Sequence, residues 1–185
     1  MKLASAGMTL LVAAVAMAGA AAETKTLRTI TVTVPTGWKA VESSSLMRVA
    51  QFALPKVEGD NADGELVVFN FGAGQGGGVQ ANLDRWYGQF KQADGSATKD
   101  KAKTTKKKAD GMDVTVVDVA GTYVAPKRIG DPSAGNYNEP NYRMLAGIVS
   151  APESDYFFKL VGPAKTVARW AKSFDEFIGS VKKAK

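Results

Sequence analysis

Apolar and polar residues alternate from Leu27 to Val34, and the β-branched side chains of this run, Leu-Arg-Thr-Ile-Thr-Val-Thr-Val, predict a strand. Pro35-Thr36-Gly37-Trp38 ends it in a turn. Met47 to Leu54 has apolar residues at 47, 49, 52 and 54, a second strand whose register wavers near Ala50 and so allows a bulge there. Pro55 closes it, and an acidic loop from Lys56 to Gly64 leads to a third strand, Glu65 to Phe71. The unbroken apolar stretch Leu66-Val67-Val68-Phe69 predicts a central place in a sheet. A glycine cluster follows, then Val79, Leu83, Trp86 and Phe90 at spacings of four, three and four, one apolar stripe of a helix.

Beyond a lysine-rich connection, Met112 to Val124 alternates cleanly and predicts a long strand. Residues 126–141, rich in Pro, Gly and Asn, read as a long loop that is either functional or disordered. Tyr142 to Val149 and Tyr156 to Val161 pair as a hairpin across Ser150–Asp155. Gly162-Pro163 opens a last helix, with Val167, Trp170, Ala171, Phe174, Phe177, Ile178 and Val181 on a wide apolar face and Lys182, Lys183 and Lys185 at its negative end. The order β-β-β-α-β-β-β-α, with hairpin-length connections, predicts one α+β domain: an antiparallel sheet of about six strands flanked by helices.

The first twenty-two residues stand apart. Lys2 is a short positive region, Met8 to Met17 is apolar but too short to span a bilayer, and Ala18-x-Ala20 or Ala20-x-Ala22 offers cleavage. Residues 1–22 are expected to be a signal peptide and residues 23–185 an exported domain, periplasmic or secreted, with no transmembrane segment after cleavage. The chain contains neither cysteine nor histidine. Zinc sites of the usual type, Ser-His-Asp and Cys-His nucleophiles and axial haem histidines are thereby removed. Catalysis would have to run on carboxylates, lysine or tyrosine, and no paired acid motif supports a carboxylate hydrolase. The expectation is a non-enzyme with no cofactor and no metal.

The net charge of +6 is local. Lys2 and the segment Lys99–Lys108, with six lysines and one aspartate, account for all of it. That segment reads as a solvated connection. Contact with a polyanion is the other reading, but without interleaved aromatics nucleic acid is not expected. Its Ser96-x-x-Lys99 lacks the partner motifs of serine-lysine enzymes.

Gly72-x-Gly74-x-x-Gly77 has the spacing of a dinucleotide turn. The acidic residue such a fold needs about 20 residues on would fall in the lysine-rich window Ala97–Lys108, and five glycines in the seven residues 72–78 make the spacing a matter of composition. A strand-to-helix connection is the plainer reading, and an anion or small-ligand contact made by its amides is the alternative. The acidic loop Glu58–Glu65 could supply calcium ligands, but Ala62 stands where an EF-hand needs one. Trp86, Trp170 and the phenylalanines at helical spacing read as core. Arginine and tyrosine favour recognition surfaces, so the candidate binding residues are Gly76, Gly77, Gly78, Gln80, Arg85, Tyr137, Tyr142 and Arg143.

The strand-turn "VTVPTGWK", Val32 to Lys39, and the closing "YFFKLVGPAKTVARWAKSFDEFIGSVK", Tyr156 to Lys182, resemble exported members of the Mog1/PsbP/DcrB-like superfamily. The resemblance implies a central antiparallel sheet sandwiched by helices (an α/β/α sandwich). It also implies an accessory or binding role, with an envelope protein as partner and no shared catalytic residues.

Overall fold

The computed structural model describes residues 22–43, 45–128 and 131–184. The expected signal peptide thus lies, but for Ala22, outside the described residues. The first strands are β1 (Glu23–Leu27), β2 (Ile30–Val34), β3 (Lys39–Ala40), β4 (Arg48–Leu54) and β5 (Gly64–Asn70). Helix α1 (Val79–Tyr87), β6 (Phe90–Lys91), the single turn α2 (Thr98–Lys101), β7 (Lys103–Ala109) and β8 (Met112–Tyr123) come next. A short 3-10 turn (Pro132–Ala134), β9 (Glu139–Ser150), β10 (Asp155–Pro163), α3 (Ala164–Gly179) and β11 (Lys182–Lys183) complete the chain.

The fold is α+β with a large antiparallel sheet, as the hairpin-length connections predict, but among the described residues the sheet has eight strands where about six were expected. Its order is β3-β4-β5-β10-β9-β8-β6, with β7 also paired to β8. β5 is internal, between β4 and β10, and β4 carries its register shift between Arg48 and Ala50. β9 and β10 form the expected hairpin, Tyr156 opposite Val149. A second sheet, β1-β2-β11, has β2 at its centre.

Period-two alternation sends side chains to two cores. On one face Phe52, Leu66, Val68, Tyr156, Phe158 and Leu160 pack with Leu27, Ile30 and Val32 of the small sheet and Val167, Phe174, Phe177 and Ile178 of α3. On the other, Val117, Val119, Met144, Ala146, Ile148 and Phe157 pack with Leu83 and Trp86 of α1 and with Phe90. Trp86 and the phenylalanines at helical spacing are core side chains, and Trp170 is half-buried against the α3-side core.

Four expectations need correcting. The run Leu27–Val34 is not one strand but the turn and second arm of a hairpin, with Arg28 at a φ of 54°. The buried Tyr156 hydroxyl holds that turn, donating to the Leu27 carbonyl at 2.9 Å and accepting from the Thr29 amide at 3.0 Å. Phe90 ends not in the helix but in β6, opposite Tyr123. The lysine-rich segment is structured, as α2 and the edge strand β7, because β8 offers it a partner from Met112 to Asp118. Finally, α3 stops at Gly179, so Lys182 and Lys183 leave the helix and pair with β2.

Candidate functional site: a cleft on the half-covered sheet face

Helix α1 has nine residues and lies over β8 and β9. Among the described residues the same face therefore continues across β10, β5 and β4 without a helix above it, and there a cleft of about 890 Å³ opens. Register fixes its floor: Lys159 stands opposite Val67 and Val161 opposite Glu65, with Phe69 of β5 beside them. Tyr142 of β9 and Tyr123 of β8 extend it, and Met47, Arg48 and Gln51 of the β4 side and residues 125–128 line its walls.

Two aromatic groups lie on either side of the β10 strand. Phe69 and Phe71 are parallel, with centroids 5.9 Å apart, and Arg48 lies 5.7 Å above the Phe69 ring. Tyr123 stacks on Tyr142 at 6.1 Å and meets Tyr137 at 5.3 Å. Between them the Lys159 ammonium donates to Gln89 Oε1 at 2.6 Å and to the Tyr123 hydroxyl at 3.2 Å. Burial lowers the Lys159 pKa to about 8, against a smaller opposing pull from Glu65, while Arg85 and Arg48 push the same way as burial. Burial also raises the pKa values of Tyr123 and Tyr142, so both hydroxyls stay protonated at neutral pH. Rings, a desolvated amine and protonated phenols make a surface suited to holding a partly apolar ligand by one polar end.

Of the sequence-derived candidates, Tyr137 and Tyr142 line this cleft. Gly76, Gly77, Gly78, Gln80 and Arg85 lie at the entry and along the body of α1. The Asn82 side-chain amide donates to the carbonyls of Gly76, Gly77 and Gly78 at 2.9, 3.1 and 3.0 Å, and Arg85 donates to Asn82 Oδ1. Gln80 donates to Asp84 at 2.8 Å. Gly72, Gly74, Gly76 and Gly77 all have positive φ, so the turn itself calls for glycine there. Arg143 faces the opposite way, on the α3 side, in a bidentate pair with Asp118 at 2.8 and 2.7 Å.

The acidic loop serves the fold. Asp60 accepts from the Thr166 amide and hydroxyl in the first turn of α3, and Asp63 accepts from the Lys56 amide. Among the described residues no group of three or more acidic residues is arranged to hold a metal. A second, more open depression of about 560 Å³ lies between α1, β6 and α2. Its lining carboxylate, Asp84, accepts from Gln80, and the neighbouring Asp94 takes two hydrogen bonds from Ser96 and pairs with Lys101 at 3.1 Å.

The sequence reading missed Lys159, Tyr123, Phe69, Phe71 and Arg48. One signal was there to be read. Lys159 is the single charge inside the apolar run Tyr156–Val161, on a strand expected to be buried.

No family model matches the chain, and no curated protein matches it. Solved structures do. The solution structure of cyanobacterial PsbP (CyanoP) from Synechocystis sp. PCC 6803 superposes with a TM-score of 0.53 at 13% identity, over 94% of this chain and 98% of that one. A Pseudomonas aeruginosa protein of unknown function, PA94, gives a TM-score of 0.48 at 12% identity, over 89% of this chain and 98% of that one. The chain has a PsbP-like α+β fold, in keeping with the resemblance of its strand-turn and closing segments. At such identities the likeness concerns the fold alone.

Proposed function

We propose that this protein is an exported, non-enzymatic binding domain of the cell envelope, an accessory module whose recognition surface is the cleft on the half-covered sheet face. The observation that carries the reading is the cleft itself: a concave, ring-lined surface left bare on an otherwise packed sheet. The amino-terminal segment with the layout of an export signal supports the compartment. The absence of histidine and cysteine supports binding over catalysis. The packing of α1 on one face of the sheet and α3 on the other is in keeping with an α/β/α sandwich, and the short α1 accounts for the opening.

The test is native mass spectrometry of the protein recovered from envelope extract, beside a Phe69→Ala/Tyr142→Ala variant. Expected is a bound small molecule or polypeptide that the variant loses while keeping its fold. Retention of the bound species by the variant would move the recognition surface elsewhere. Conversion of that species to a product would overturn the non-enzymatic reading, and recovery of the protein with residues 1–22 still attached would overturn export.

A further inference from the structure

Lys159 occupies an unusual place for a lysine. It sits on an internal strand, and across the ladder its neighbours on the cleft face are Val67 and Ala146. Its partners, Gln89 and Tyr123, are neutral. Among the described residues no carboxylate is within ion-pair distance of the ammonium. Glu65 acts on it from further off, but that carboxylate accepts from Gln51 at 2.8 Å and lies 3.8 Å from Arg48. An ammonium has three donors, and two are used. Because Lys159 donates to the Tyr123 oxygen, the tyrosine's own O–H has no acceptor among the described residues. Two donors, one of them charged, thus converge on the cleft without an acceptor. A desolvated cation lacking a counter-charge is costly, and a ligand can relieve that cost by bringing the charge.

We propose that the cleft takes a ligand carrying a carboxylate beside an aromatic ring, the carboxylate accepting from Lys159 Nζ and Tyr123 Oη and the ring packing among Phe69, Phe71 and Tyr142. The inference rests on the cleft being the recognition surface. One ammonium and one hydroxyl match a single negative charge. A phosphate dianion would call for more positive charge than Lys159 supplies, and of the other cations lining the cleft Arg48 lies 3.8 Å from Glu65 and Arg128 3.8 Å from Asp131. The ring is implied by the stacked pairs on either side of Lys159, which leave aromatic faces and edges for a further ring. A small aromatic acid and the free carboxyl end of a polypeptide ending in an aromatic residue offer the same chemistry.

The test uses two matched pairs of probes followed by NMR on the purified protein: phenylacetate against phenylacetamide, and the tripeptide Ala-Ala-Phe with a free against an amidated carboxyl end. Each acid is expected to bind about tenfold tighter than its amide, as a charge-assisted hydrogen bond implies, and to raise the Lys159 pKa on saturation. The tighter of the two acids identifies the source. Lys159→Met should abolish the preference for acid over amide while weak amide binding persists. Tyr123→Phe, which keeps the ring, should reduce the preference several-fold. Equal binding of acid and amide at the cleft overturns the inference and leaves the recognition surface standing. No perturbation of cleft resonances by any probe at millimolar concentration also overturns the inference, while the recognition surface stands or falls with the species recovered from envelope extract.

Discussion

A charge at position 159 has a thermodynamic signature independent of any ligand. Folding desolvates the ammonium, so its pKa falls from the ordinary 10.5 to about 8. Below pH 8 the group is protonated in both folded and unfolded chains, and the folded state bears the full cost of burying the charge. Between about pH 8 and pH 10.5 the unfolded chain binds more protons, so stability rises with pH, and above that range the cost is gone. Lys159→Met is therefore expected to stabilise the protein at pH 7 by about 1 kcal/mol, since the residue keeps some exposure and two hydrogen bonds are lost. Urea melts at pH 7 and pH 10.5 would show the gain shrinking at the higher pH. A loss of stability at pH 7 would mean that the ammonium is well satisfied where it is.

Glycine 76 shows a residue-scale constraint of another kind. Its φ is 90°, and a Cβ there would stand 2.6 Å from the Phe157 ring and 2.9 Å from Phe71. Gly76→Ala should cost roughly 2–4 kcal/mol. Gly74→Ala, at a φ of 68° with open space around it, should cost only about 1 kcal/mol. Denaturant midpoints of the two variants separate the close approach from the turn. Equal costs would mean that backbone conformation alone sets the requirement at Gly76.

Among the elements, β7 explains the local charge excess. It is an edge strand, paired on one side to β8. Lys107 pairs with Asp175 of α3 and Lys108 with Asp113, while Lys103 and Lys106 form no ion pair among the described residues. Lysines along an exposed edge discourage pairing with other chains. Lys103→Val with Lys106→Val is expected to leave the melting temperature within about 2 °C but to produce concentration-dependent aggregation in light scattering. A variant that stays monomeric at high concentration would remove the edge-protection role.

Elements were legible where one local rule governed them. β4, β8 and the β9–β10 hairpin follow from their strand patterns, β5 from its unbroken apolar stretch, and α3 from its apolar stripe after Gly162-Pro163. The rule failed where a distant group decided. Tyr156, more than a hundred residues away, makes the hairpin turn at Arg28 and Thr29, and Tyr123 takes Phe90 into a strand.

The whole molecule is closed by its last residues. Val181 is 1% exposed, the Ser180 hydroxyl accepts from the Thr33 amide at 2.8 Å, and β11 completes the small sheet. Removing Ser180–Lys185 is expected to cost about 3–5 kcal/mol, from one buried valine and several hydrogen bonds. Equilibrium unfolding checks this, and a loss below about 1 kcal/mol would make the small sheet incidental to stability. The sequence by itself determined the α+β class, the central place of β5, the terminal helix and the lack of histidine and cysteine chemistry, because periodicity and composition are local properties of the chain. Only the tertiary structure decided which half of a sheet face a nine-residue helix leaves bare. It also turned Arg143 to the far side and brought Lys159, Tyr123 and Gln89 together. Those outcomes depend on strand order and register, and neither is written in the spacing of residues along any one strand.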